Sequence, residues 1–299
     1  MATPPLLLIT NGDAGTADQE AVEAALAVLR APAGADVEVR ATSSPDELAD
    51  VLAEAGERRV VVAGGDGSIH AVVQALHTCG DLTGRTLGLI PLGTGNDFAR
   101  TLGLPLDPAE AAAVVVAGTT RPTDLVVDED EDVTVNSVHL GAGAEAGKRG
   151  ARWKERLGKV GYPIGAVQTA LNPPSLRLRV EVDDTVVVDV DRPVLMVAVG
   201  NGASVGGGTE LTPEADPHDG LVDVLVATPV SPLARLGYVL RLPFGRHAEH
   251  SDAAIVRGRT VRVSGAAFDC NSDGEIDGPV RSRTWRVLPA AYSMVVPGR

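Results

Sequence analysis

The sequence predicts a two-part fold: an α/β domain built on a parallel sheet, followed by a second, mainly antiparallel β-sandwich domain. Up to about residue 126, short apolar strands alternate with helical stretches, the mark of βαβ units. From about 133 to 287 the pattern turns to closely spaced strands, which suits a sandwich. With aromatics at 3% of 299 residues, the core must come from Val, Leu, Ala and Ile. Val-rich runs favour strands, and Ala-rich runs such as Ala21–Val28 and Ala109–Val116 favour helices.

In order, the first part reads as strand Leu6–Thr10, helix Asp18–Leu29, strand Val37–Ala41, helix Pro45–Glu54, strand Val60–Ala63, helix Ser68–His77 and strand Thr86–Pro91. Helices Asn96–Leu102 and Ala109–Ala117 follow. Continuously apolar strands of this kind belong in a Rossmann-like parallel sheet covered on both faces. The second part reads as strands Leu176–Asp183, Thr185–Val190, Val194–Val199, Leu221–Ala227, Thr260–Val263 and Thr284–Leu288, with helical interruptions around 153–171 and 231–242. Trp285, in an alternating strand, is expected in the core. The expected domains are 1–126, with the tail 289–299 returning to it, and 127–288. The acidic run Asp128–Asp132 at the joint reads as a solvated hairpin turn or linker kept mobile by self-repulsion.

A formal charge of −14, from 26 basic and 40 acidic residues, argues against nucleic acid as a partner, because such binding rests on neutralising phosphates. Cys79 and Cys270 fit no metal or disulfide framework and read as free thiols of a reducing cytoplasm. No stretch approaches the ~18–20 apolar residues of a membrane span, and the N-terminus lacks the basic region of a signal peptide.

Two turns carry the chemistry. Val60–Ala63 runs into Gly64–Gly65–Asp66–Gly67–Ser68, where a helix begins. Glycines let the backbone approach a phosphate, and helix N-terminal N–H groups favour the anion. Asp66 would repel phosphate, so it reads as a ligand for Mg²⁺ or a nucleotide hydroxyl; the plainer alternative is a helix cap. About one βαβ unit later, Leu87–Ile90 runs into Pro91–Leu92–Gly93–Thr94–Gly95–Asn96–Asp97–Phe98–Ala99–Arg100. In a parallel sheet both turns sit at the carboxyl ends of strands, where ligands bind.

GGDGS with PLGTGNDFAR resembles the catalytic domain of diacylglycerol kinases and related bacterial lipid kinases, which share a superfold with NAD kinases and phosphofructokinases. The resemblance covers nearly the whole chain. Further matching pieces are Asn11–Gly15, Thr42, Asn136–Gly143, Asn201–Val224 and Asp273–Gly274–Glu275. It implies an ATP- and Mg²⁺-dependent lipid kinase working in a cleft between the two domains. By position, Asn11, Gly12, Asp13, Ala14, Gly15, Thr42, Gly64, Gly65, Asp66, Gly67, Ser68, Thr94 and Asn96 would surround ATP. Asp66, Asp97 and Asp124 would organise Mg²⁺ and the transferred group. Glu275 would be the general base, with Asp273 beside it. Asp219, with the carbonyls of Asp216 and Leu221, would hold a structural Mg²⁺.

The chemistry agrees: phosphoryl transfer asks mainly for positioned phosphates, metal and an oriented nucleophile. Two departures stand out, His70–Ala71 where the family has Asn-Glu, and Gly12 where it has Pro. The competing readings are an NAD kinase-like enzyme, which shares GGDG, and a catalytically silent nucleotide-binding regulator. Asp269–Asp277 copies the opening of an EF-hand loop, but Val280 stands where the bidentate Glu is needed. Gly141–Lys148 has the wrong spacing for a P-loop. The basic stretch Lys148–Lys159 either contacts anionic headgroups, making the enzyme a transient visitor to the membrane, or pairs with the domain's own acids. Which lipid is used stays open, and a homodimer is left open with it.

Overall fold

Strands that are apolar along most of their length need cover on both faces, and the first part of the chain provides it. The computed structural model describes residues 4–12, 15–141, 176–228 and 253–298. Asp13, Ala14, Lys148–Lys159 and the helices expected at 153–171 and 231–242 lie outside the described residues. The chain divides into two units, Met1–Leu125 with Pro289–Arg299, and Val126–Leu288.

The first unit runs β1 (Leu6–Asn11), α1 (Thr16–Leu29), β2 (Val37–Thr42), α2 (Pro45–Ala53), β3 (Arg59–Gly64), α3 (Asp66–Thr78), β4 (Thr86–Pro91), α4 (Asp97–Thr101) and α5 (Pro108–Ala117), then enters β5 (Thr119–Asp128). Its sheet is parallel in the order β2–β1–β3–β4. Leu6 and Leu8 of β1, Val61, Ala63 and Ile90 form one core face with Ala25, Leu29, Ala112 and Val115 of α1 and α5. Strand alternation turns Leu7 and Val62, both buried, to the other face, and α2 packs against α3. Burying each such Val or Leu contributes about 1.5–3 kcal/mol. α2 and α5 start on side-chain caps, Ser44 and Asp107, each followed by Pro at the first turn.

The second unit continues with β6 (Val133–Thr134), β7 (Ser137–Gly141), β8 (Leu176–Val182), β9 (Thr185–Val188), β10 (Pro193–Val194), β11 (Met196–Gly200), β12 (Ser204–Val205), β13 (Thr209–Glu210), β14 (Val222–Ala227), β15 (Ala253–Gly258), β16 (Thr260–Ser272) and β17 (Glu275–Val296). Its pairings are antiparallel in the order β15–β14–β11–β7–β16–β17, and β8 joins β16. β16 changes neighbours halfway: Val261–Gly265 lies beside β8, and Cys270–Ser272 beside β7. Register shifts between Ser264 and Cys270, with Gly265 at φ 138°, make the bend that lets one strand serve both layers. Val138, Val180, Val197, Val224, Val263 and Trp285 share the resulting core.

Some elements differ from expectation. Thr260–Val263 is only the start of a 13-residue strand, and Thr284–Leu288 is the middle of a 22-residue one. β17 returns to the first unit, where Ser293 and Met294 pair in parallel with Thr86 and Leu87. The acidic run is a turn, but a clamped one. Asp128 and Asp130 accept from the buried Arg283 at 2.7 and 2.8 Å, Glu129 accepts from Thr284 N at 2.6 Å, and Glu131 pairs with Arg286 at 2.5 Å. Cations from β17, some 155 residues later in the chain, offset the self-repulsion that would have kept the run mobile.

Candidate active site

A parallel sheet sends all its strands' carboxyl ends to one edge, so the loops after β1, β2, β3 and β4 are neighbours. Asn11 lies opposite Thr42, and Gly12 N–H donates to the Thr42 carbonyl at 3.0 Å. Gly64 lies opposite Pro91, and Leu92 N–H donates to the Gly64 carbonyl at 3.0 Å. Asn11, Gly12, Gly15, Thr42, Gly64, Gly65, Asp66, Gly67, Ser68, Thr94 and Asn96 therefore gather at the strand ends, turns and helix starts of this edge; Asp13 and Ala14 fall outside the described residues.

The two glycine turns touch. A Cβ on Gly65 would lie 2.9 Å from the Gly93 Cα; one on Gly93 would lie 2.6 Å from the Gly65 Cα and 2.8 Å from Asn96 Oδ1. A Cβ on Gly64 would strike the Ser68 side chain. Asn96 adopts the left-handed conformation, φ 53° and ψ 41°, while its Nδ2 donates to the Gly93 carbonyl at 2.7 Å.

Asp66 locks the pair. It opens α3, yet its carboxylate reaches the start of α4: Asp97 N–H donates to Oδ2 at 3.1 Å and Phe98 N–H to Oδ1 at 3.0 Å. The alternative of a cap is thus realised, for the neighbouring helix rather than its own. By contrast α1 and α3 begin on Gly15 and Gly65 without a side-chain cap. Their first-turn N–H groups carry the partial positive charge that suits an anion. Asp97 is 6% exposed, and Ala71, where the family has Glu, is exposed.

Asp124 is buried on β5, and its Oδ1 accepts from Ala290 N at 2.8 Å, tying the returning β17 to the first unit. Among the described residues no three His, Cys, Asp or Glu side chains gather closely enough to hold a metal ion, so Asp66, Asp97 and Asp124 do not form a carboxylate cage.

In the second unit three distant segments converge. Asp273, at φ 49° in the β16–β17 turn, accepts from Val135 N at 2.6 Å, Asn136 N at 3.0 Å and Ser137 N at 2.9 Å. The Asn136 carbonyl accepts from Asn201 N at 2.9 Å and Gly202 N at 2.8 Å, and its Nδ2 donates to the Ser204 carbonyl at 2.9 Å. Asn201 Nδ2 returns to the Val135 carbonyl at 2.8 Å. Glu275, two residues past Asp273, stands exposed opposite Ser272.

The Asp216–Leu221 loop offers carboxylate and carbonyl oxygens, the donor type a hard divalent cation takes. Asp219 Oδ1 accepts from Leu221 N at 3.0 Å, and Oδ2 pairs with Arg257. Arg257 also meets Asp223, whose carboxyl is raised above the usual range by burial, with Arg257 acting against the rise. Asp223, on β14 beside this loop, keeps Oδ2 buried without a hydrogen-bond partner.

Sequence reasoning gave roles to Gly65 and Asp273, placed Gly93, Asn136 and Asn201 only within matching segments, and did not name Arg257. The glycine run in PLGTG was the signal for Gly93 and the matching segments for Asn136 and Asn201, but nothing local marks these residues as hydrogen-bond partners of one another.

The model of the diacylglycerol kinase catalytic domain matches residues 5–127, and that of the YegS C-terminal NAD kinase beta sandwich-like domain matches 136–296. A "Probable lipid kinase YegS-like" of Klebsiella pneumoniae is 30% identical over 305 residues, covering 98% of this chain and 96% of its own. A "Diacylglycerol kinase" of Mycobacterium tuberculosis is 31% identical over 253 residues, covering 81% and 78%. Among solved structures, a diacylglycerol kinase from Bacillus anthracis str. Sterne matches with TM-score 0.77 at 23% identity, covering 99% and 98%, a likeness that speaks for the fold. The chain belongs to the YegS and diacylglycerol kinase family of lipid kinases.

Proposed function

We propose that the chain transfers the γ-phosphoryl group of ATP, with Mg²⁺, to a hydroxyl of a diacylglycerol-like lipid. The observation that carries this reading is the contact of Gly65 with Gly93 at the edge shared by β3 and β4, locked by Asp66. Two backbone turns without side chains there leave N–H groups and the open start of α3 for a triphosphate. Asn11–Gly15, Thr42, Thr94 and Asn96 border the nucleotide.

Asp97, with Asp66 and Asp124 in support, would present carboxylate oxygen to Mg²⁺, which would supply positive charge against the phosphates. Few carboxylates would suffice, because Mg²⁺ commonly keeps several waters and takes only one or two carboxylates beside substrate phosphates. Glu275 takes the acceptor's hydroxyl proton as the new O–P bond forms; the bond from the γ-phosphorus to the bridging oxygen breaks, and ADP leaves with its electrons. Asp216, Asp219 and Leu221 would hold a structural Mg²⁺.

Full-length protein incubated with γ-labelled ATP, Mg²⁺ and a panel of diacylglycerol, sphingoid base, phosphatidylglycerol and NAD tests the reading. Label in a phospholipid is expected. Label in NADP would point to the NAD kinase-like alternative. ATP binding without transfer to any acceptor would point to a silent regulator, as His70–Ala71 would allow.

A further inference from the structure

We infer that Asp273 is a positioning residue and not a proton acceptor: its carboxylate serves as the anchor that sets the turn carrying Glu275 against the Val135–Ser137 segment. The inference rests on the lipid-kinase reading for the chemistry it attributes to Glu275, while the anchoring itself stands on geometry alone.

Both oxygens of Asp273 are engaged by backbone, Oδ2 by Val135 N at 2.6 Å, Oδ1 by Asn136 N at 3.0 Å and Ser137 N at 2.9 Å. Its own N–H donates to the Ser137 carbonyl at 3.0 Å. Four hydrogen bonds therefore join one residue of the hairpin to three consecutive residues more than 130 positions away. Three backbone N–H groups occupy three of the roughly four acceptor positions of this carboxylate, which commits it to holding the segment. The turn is stiffened further by Gly274 N–H donating to Asn271 Oδ1 at 2.9 Å and by Thr134 Oγ1 with Ser272 Oγ at 2.7 Å.

The same network reaches a third segment. Asn136, held by Asp273, binds Asn201, Gly202 and Ser204, the start of the glycine-rich stretch through Gly208. Asp273 thus lies at the root of a backbone frame that joins the Glu275 turn to two loops, and Glu275 is the exposed acid at its end. The left-handed φ of Asp273, 49°, is what turns its carboxylate back onto the loop while the chain continues to Glu275.

The test compares Asp273→Asn with Glu275→Gln in the full chain. Backbone amide exchange at Val135, Asn136 and Ser137 is read by NMR, and lipid phosphorylation is read as kcat, KM and their pH profiles. In Asp273→Asn the three amides should exchange at least about tenfold faster. Its kcat should fall with KM for ATP unchanged, and the acid limb of the pH profile should persist. In Glu275→Gln the amides should stay protected, kcat should fall about 10²-fold or more, and the acid limb should vanish. Unchanged protection in Asp273→Asn overturns the inference, as does an acid limb lost there but kept in Glu275→Gln. Should Asp273→Asn not fold, Glu275→Gln decides: exposed Glu275 tolerates the change, and full activity in that variant would return the base role to Asp273. If wild type phosphorylates no lipid, the functional reading fails, and the exchange measurement still decides the anchor.

Discussion

Gly65 and Gly93 meet backbone to backbone: a Cβ on Gly93 would come within 2.6 Å of the Gly65 Cα. Neither glycine has a positive φ, so the requirement is for space and not for backbone freedom. Gly93→Ala should therefore force the two turns apart, an overpacking cost of about 1–3 kcal/mol. If the turns hold a triphosphate, calorimetry should show ATP affinity reduced by roughly tenfold or more. Circular dichroism should show the fold retained.

Asp66 contributes two acceptors to the start of α4. Asp66→Ala leaves both N–H groups without them and should lower the unfolding free energy by about 0.5–2 kcal/mol in urea. Asp66→Asn keeps one oxygen and should lose less stability. If the charge also serves Mg²⁺, the two variants lose activity equally, which separates the cap from the catalytic role.

Asp97 is buried beside that cap but is not the cap itself. Asp97→Ala and Glu275→Ala should each leave a folded protein whose kinase activity is reduced by about 10²-fold or more, the scale of electrostatic and acid–base groups. A steady-state assay on the accepted lipid checks this; activity retained in both would remove the assignment.

Arg283 neutralises the acidic turn from within, its side chain 6% exposed beside Asp128 at 8%. Arg283→Met would bury Asp128 without its partner and should destabilise the second unit by about 3–5 kcal/mol. Denaturant titration followed by Trp285 fluorescence reads the loss, since Trp285 lies in the core of the second unit.

The two thiols should behave differently. Cys79 is exposed, whereas burial pushes Cys270 up to about 12. At pH 8 a thiol reagent should react quickly with one equivalent per chain and reach the second only on unfolding, because the thiolate is the nucleophile.

The alternation of apolar strands and Ala-rich helices was legible because its cause is local: β1, α1, β2, α2, β3 and β4 begin and end within about two residues of their expected limits. β5 was missed because it opens on polar residues with Pro122, and the span of β17 because Gly278 and Pro279 read as a break. The clamped acidic turn was misread as mobile because its cations lie on a strand some 155 residues away.

By itself the sequence determined the fold class, the family and the glycine turns at strand ends, since periodicity, β-branching and missing side chains are written residue by residue. Tertiary structure decided what Asp66 and Asp273 hold in place. Asp66 caps a helix that starts 31 residues later, and Asp273 holds amides 136 to 138 residues earlier. A hydrogen bond needs its donor within about 3 Å, and only the folded chain brings such distant groups that close.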